Sequence, residues 1–108
     1  MTMPAVYFSH GQESGPWGTK IKAMAATVEK LGCRAESVDY QGIADPTDRV
    51  NKLIAECADV EEPLVLVGSS MGGHVATAAA MNLDRYFDHR MKRKKPPVRV
   101  SRFAALAA

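Results

Sequence analysis

The 108-residue sequence predicts an α/β fold, a three-layer sandwich built on a mostly parallel sheet. Short apolar runs alternate three times with segments of helical periodicity. The runs are close to continuously apolar, as strands covered on both faces are. Loops carrying Gly and Pro separate the segments. The resulting order is strand, helix, strand, helix, strand, helix, with right-handed crossovers expected between parallel strands.

Ala5-Val6-Tyr7-Phe8-Ser9 is short and β-prone, and reads as a buried strand. His10 to Pro16 follows as a loop. From Gly18 to Leu31 the apolar residues Ile21, Met24, Ala25, Val28 and Leu31 recur at helical spacing. Gly32 stands where a helix C-terminus favours glycine. Cys33 to Tyr40 is a second, partly polar strand, and Gln41 to Asp45 a loop. Asp45 caps the next helix, with Pro46 in its first turn. That helix carries the apolar stripe Val50, Leu53, Ile54 and Cys57. Glu61-Glu62-Pro63 breaks the chain before Leu64-Val65-Leu66-Val67, the clearest buried strand. Gly68 to Gly73 turns sharply, and Met71 to Met81 is a helix rich in small residues.

Beyond Met81 the character changes. Residues 1–81 hold 6 basic and 10 acidic side chains, a net −4, whereas residues 82–108 hold 8 and 2, a net +6. Asn82 to Arg90 is polar, and Lys92-Arg93-Lys94-Lys95 is a basic run closed by Pro96-Pro97. Val98 to Val100 has the character of a short strand and Ser101 to Ala108 of a short helix, but the fold class rests on neither. The chain therefore divides into an α/β core, residues 1–81, and a basic C-terminal segment, residues 82–108.

Several function classes are excluded by pattern. No run of 18 apolar residues exists, so no membrane association is expected. Met1 to Val6 has no basic and then apolar character, so no signal peptide is read there. Cys33 and Cys57 lack metal or redox spacing and read as buried free thiols of a cytoplasmic protein. Gly18-Thr19-Lys20 has the wrong order and spacing for a phosphate loop, and no G-x-G-x-x-G follows the first strand. A basic run such as Lys92 to Lys95 is more often a solvated tail than a nucleic-acid contact. No metal or cofactor is expected.

The chemistry lies in Gly68-Ser69-Ser70-Met71-Gly72. A serine hydroxyl is a weak nucleophile until a base takes its proton, and it must be exposed to substrate and base at once. A strained strand-to-helix turn achieves this exposure, and here the motif follows an apolar strand and opens a helix directly. Gly68 and Gly72 flank Ser70 because a Cβ would crowd the turn, and Gly73 permits close approach of the helix. Ser69, at a variable position, is at most supporting. The backbone N–H of Met71, at a helix N-terminus, points at developing negative charge. A second oxyanion donor is expected from the loop after the first strand, where His10-Gly11-Gln12 offers the N–H of Gln12.

These residues resemble the α/β-hydrolase superfamily, of the small serine esterase-like type. The resemblance spans about residues 4 to 81 and rests on Ser9-His10-Gly11, on the strand to Asp39-Tyr40, and on Leu64 through Gly73. It implies a partial α/β-hydrolase fold and hydrolysis of an ester, thioester or amide of a small acyl substrate through an acyl-serine at Ser70. In that superfamily the triad runs serine, acid, histidine along the chain. Only 38 residues follow Ser70, too few for the remaining strands and helices. A truncated or altered C-terminus is therefore expected, and a frame shift near Met81 would account for the change of charge.

His89, with Asp84 or Asp88 beside it, is the remaining candidate base, and Asp84 the candidate acid. His10 precedes the oxyanion loop and is expected to order it. His74, four residues after Ser70, is expected to be packed or solvent-facing. Trp17 and Glu13 flank the loop, and Asp39 and Tyr40 end a strand at the same sheet edge. The alternative to an enzyme is a catalytically inactive hydrolase-fold chain acting through self-association, since a partial sheet leaves an edge to cover.

Overall fold

The computed structural model describes residues 3–86 and 98–101, with side chains for residues 3–83. Seven elements follow in order: β1 (Ala5–Ser9), α1 (Thr19–Lys30), β2 (Arg34–Val38), α2 (Pro46–Cys57), β3 (Leu64–Gly68), α3 (Met71–Tyr86) and β4 (Val98–Ser101). The strands form one sheet in the order β2-β1-β3-β4, and every pairing is parallel. Ala5 aligns with Arg34 on one side and Leu64 on the other, and Leu64 aligns with Val98.

Strand alternation divides the core into two layers. Ala5, Tyr7, Leu64 and Leu66 face Val50, Leu53 and Cys57 of α2 and Val75, Ala76, Ala79 and Leu83 of α3. Val6, Phe8 and Val67 face Ile21 and Ala25 of α1. One helix on one face and two on the other is what right-handed crossovers require for this strand order. The step from β1 to β2 runs one way along the sheet, and the next two steps run back. The result is the three-layer α/β sandwich on a parallel sheet that the sequence predicts.

The caps follow the sequence. The Asp45 carboxylate accepts the Thr47 N–H at 2.7 Å, and Pro46 occupies the first turn of α2. Gly32, at φ +90°, lets the chain leave α1. Arg34 closes the lower end of the sheet, donating to both Glu62 carboxylate oxygens (2.9 and 3.1 Å) and to Glu36 (3.0 Å).

Three details differ from the pattern-based expectation. α3 runs five residues beyond Met81, because Leu83 falls on the same buried stripe as Ala76 and Ala79. Val98–Ser101 is a strand of the sheet, so Ser101 is not helical; residues 102–108 and the basic run at 92–95 lie outside the described residues. Cys33 is half-buried, and only Cys57 is fully buried; both are free thiols. No helix among the described residues is long and apolar enough to cross a membrane.

Burial pushes the Cys57 thiol up to about 12, with Glu56 adding to the shift. At pH 8 it is held as the unreactive thiol. A chromogenic disulfide reagent is expected to titrate Cys33 in the folded chain and Cys57 only after denaturant is added. Rapid modification of both without denaturant would contradict the packing of Cys57 under β1 and β3.

Candidate active site

β3 delivers the chain to the top of the sheet, and two residues later α3 begins. Ser70, between them, has φ +57° and is the one non-glycine residue with positive φ among the described residues. It is solvent-exposed although it is enclosed in sequence by Gly68 and Gly72, both buried. The turn is closed by the Gly72 N–H on the Ser69 carbonyl (2.9 Å) and the Gly73 N–H on the Ser70 carbonyl (3.0 Å). The Ser69 N–H donates to the Ser9 carbonyl at 3.0 Å and ties the turn to the end of β1.

The glycines are required by backbone meeting backbone. A Cβ on Gly68 would fall on the Gly72 carbonyl and the Gly73 nitrogen. A Cβ on Gly72 would strike the Ser9 carbonyl. Gly72 thus marks a close approach between helix and sheet, and the Gly73 nitrogen lies against Gly68 in the same turn. A Cβ on Gly11 would lie 3.2 Å from the Ser70 Cβ, so the loop after β1 passes directly beside the serine.

His10 lies under that loop, 1% exposed. Its Nε2 meets the Tyr40 N–H at 2.8 Å, and its Nδ1 meets the Gly11 carbonyl at 2.7 Å. A backbone N–H can only donate, so Nε2 is the acceptor and Nδ1 carries the proton. Both ring nitrogens are thus committed to backbone. The Asp39 carboxylate stands 3.9 Å from Nε2. It makes no ion pair with this neutral ring, and instead accepts the Gln41 N–H at 2.9 Å. Tyr40 packs against the His10 ring, and its hydroxyl shares a buried hydrogen bond of 2.8 Å with Ser9. Burial drives the Tyr40 phenol well above its usual range, the Ser9 bond opposing it in part.

The Gly11 carbonyl collects donors. Besides His10 it accepts from Arg49 Nη1 (3.4 Å) and from the Ser14 N–H (3.5 Å) and hydroxyl (3.4 Å). A trans peptide is planar with its C=O and N–H opposed. Holding the Gly11 oxygen toward His10 and Arg49 turns the Gln12 N–H the other way.

An open cavity of about 510 Å³ is lined by Gly11, Gln12, Glu13, Lys20, Ser70 and Met71 among others. The structure thus brings Ser70, Met71, Gly11 and Gln12 to one cavity and sets His10 beneath it. Trp17 is exposed and does not line it. His74 is exposed on a separate groove between α2 and α3, with Val50, Asn51 and Ala78. Asp84, the candidate acid, requires correction. It lies on α3 itself, 13 residues past Met71, about 20 Å along the axis at 1.5 Å per residue. One imidazole cannot bridge that distance. The candidate base His89 lies outside the described residues. Among the described residues no group of His, Cys, Asp and Glu could hold a metal ion.

Arg49 is the site residue that pattern reading passes over. It is 2% exposed, although it sits in a helix read from its apolar stripe. One signal was present: Arg49, Leu53 and Cys57 are four residues apart and share a face.

Residues 5–85 match the uncharacterised protein family UPF0227. A crystal structure from Xanthomonas campestris pv. campestris, of a protein assigned as a hydrolase of the alpha/beta superfamily, superposes with a TM-score of 0.68 at 28% identity. The match covers 74% of this chain and 53% of that one, so the chain spans about half the length of that protein. None of the curated proteins matches the chain.

Proposed function

We infer that this chain, which belongs to the uncharacterised protein family UPF0227 and has a partial α/β-hydrolase fold, carries the nucleophile and oxyanion side of a serine hydrolase site. Ser70 Oγ attacks the carbonyl carbon of an ester, thioester or amide and passes its proton to a base. The carbonyl oxygen becomes an oxyanion that accepts from the Met71 and Gln12 N–H groups. The base returns that proton to the departing alcohol, thiol or amine as the C–O, C–S or C–N bond breaks, and water then hydrolyses the acyl-serine to the free acid and Ser70. The observation carrying this reading is the left-handed backbone of Ser70, exposed at a turn whose flanking glycines admit no side chain.

A second reading is favoured by the histidines. His10 has both nitrogens bound to backbone, and His74 belongs to another groove. In that reading the chain keeps the fold and the serine without turnover, and works by binding or by self-association along the open edge of β2. A fluorophosphonate probe separates the two. Labelling of the folded chain at Ser70, mapped by mass spectrometry and abolished in Ser70→Ala, is expected for the hydrolase. Folded protein that stays unlabelled supports the second reading and ends the first.

A further inference from the structure

We propose that Arg49 is a positioning residue for the oxyanion donor Gln12. This inference rests on the hydrolase reading of Ser70 and deepens it.

Arg49 is badly placed for stability alone. A buried guanidinium is expensive unless it is paired, and among the described residues no carboxylate pairs with it. It also lies in the second half-turn of α2, near the positive end of that helix, where a cation is disfavoured. What it has instead is a set of neutral anchors. Nε donates to the Ile43 carbonyl at 2.6 Å, and the guanidinium lies 5.4 Å from the centre of the Tyr40 ring. Nη1 reaches across 38 residues of chain to the Gly11 carbonyl.

That last bond is the functional one. His10 and Arg49 hold the Gly11 oxygen from the buried side, while the Ser14 N–H and hydroxyl close the turn on the same oxygen, so the Gln12 N–H is presented on the opposite side of the peptide. A cation on the carbonyl oxygen also draws charge through the amide, which makes the N–H a stronger donor. The positive charge sits behind the peptide, shielded from water and ready before the oxyanion forms. Such preorganised polarity is what stabilises developing charge without reorganisation. His10 supplies direction but, being neutral, no charge; the charge comes from Arg49.

The test compares fluorophosphonate labelling rates in the wild-type chain, Ser70→Ala, Arg49→Lys and Arg49→Met, each corrected for folded fraction by circular dichroism. Losing an oxyanion donor outright lowers rate by about 10²–10³. Weakening it through Arg49→Met is expected to slow labelling by about 10- to 100-fold. Arg49→Lys keeps the charge but loses the fixed fork, so it is expected to recover part of that loss. With an activated ester the loss is expected in kcat and not in KM. A residue that only supports the fold would lower the unfolding midpoint and leave the folded fraction reacting at the wild-type rate.

The wild-type chain supplies a readout that needs no variant. Formation of the phosphonyl-Ser70 adduct is expected to shift both the Gln12 amide and the Arg49 guanidinium signals in proton–nitrogen spectra. Wild-type labelling at Ser70 with unchanged rates in folded Arg49 variants overturns the Arg49 assignment alone. So does an adduct that moves Gln12 and leaves Arg49 still. Folded wild-type chain that is never labelled overturns the hydrolase reading, and this inference with it.

Discussion

Gly72→Ala is expected to leave the chain unfolded. The added methyl would enter the Ser9 carbonyl and approach the His10 carbonyl at 3.0 Å. Neither can retreat. Ser9 ends a strand hydrogen-bonded on both sides, and its carbonyl already accepts the Ser69 N–H. The helix could move instead, but Val75, Ala76 and Ala79 are fully buried against the sheet. Alanine gains about 1 kcal/mol of helix propensity over glycine, which is small beside a backbone clash. Total stabilities of small domains are about 5–15 kcal/mol, so a loss of several removes the folded state. Gly18→Ala is the control. Its Cβ would meet only the Gly15 carbonyl at 3.9 Å, and a change within about 1 kcal/mol is expected. Urea unfolding followed by circular dichroism measures both. A Gly72→Ala chain with the wild-type midpoint would mean that the turn does not press on β1 as described.

Ser70→Gly is expected to make the chain more stable and inert at once. A side chain in the left-handed region costs about 1–2 kcal/mol, which glycine does not incur. Glycine also loosens the unfolded chain, which returns about 0.5–1 kcal/mol of that gain. The net expectation is a stabilisation of about 0.5–1 kcal/mol relative to Ser70→Ala, which keeps the left-handed side chain. Both variants lose the hydroxyl, so fluorophosphonate labelling and ester turnover fall to background, on the order of 10³-fold or more. Equal midpoints for the two variants would show that the backbone at position 70 is relaxed. Persistent labelling in either would move the nucleophile elsewhere.

Much of this was legible before the structure. Leu64 to Gly72 announces both a buried strand and the turn that follows it, because apolar continuity and glycine spacing are local properties. The Asp45–Pro46 start of α2 was legible for the same reason. His10 could be given an ordering role from its place before the turn. What local pattern does not carry is contact across the chain. Arg49 looks like an ordinary surface charge of a helix until the loop 38 residues earlier is folded over it. The length of α3 was hidden because Leu83 sits alone among Asn82, Asp84 and Arg85, and a single apolar residue does not declare a period. Asp84 was a candidate from its place before His89 in chain order, which carries no information about its distance from Ser70 along α3. The sheet order, too, depends on pairings that no segment states by itself.

The strand order has one more consequence. From β1 the chain departs toward β2, and from β3 it departs toward β4, on the other side. The two neighbours at the centre of the sheet therefore send their connections apart, with α1 leaving over one face and α3 over the other. Where connections diverge, a crevice opens at the carboxyl ends of the strands, the topological switch point at which open α/β sheets bind ligands. In this chain that point lies between Ser9 and Gly68, which pair in register. The location of the crevice is thus a property of the winding of the chain. It would be there if Ser70 were any other residue, and a chain that lost the serine hydroxyl would still keep a place to bind.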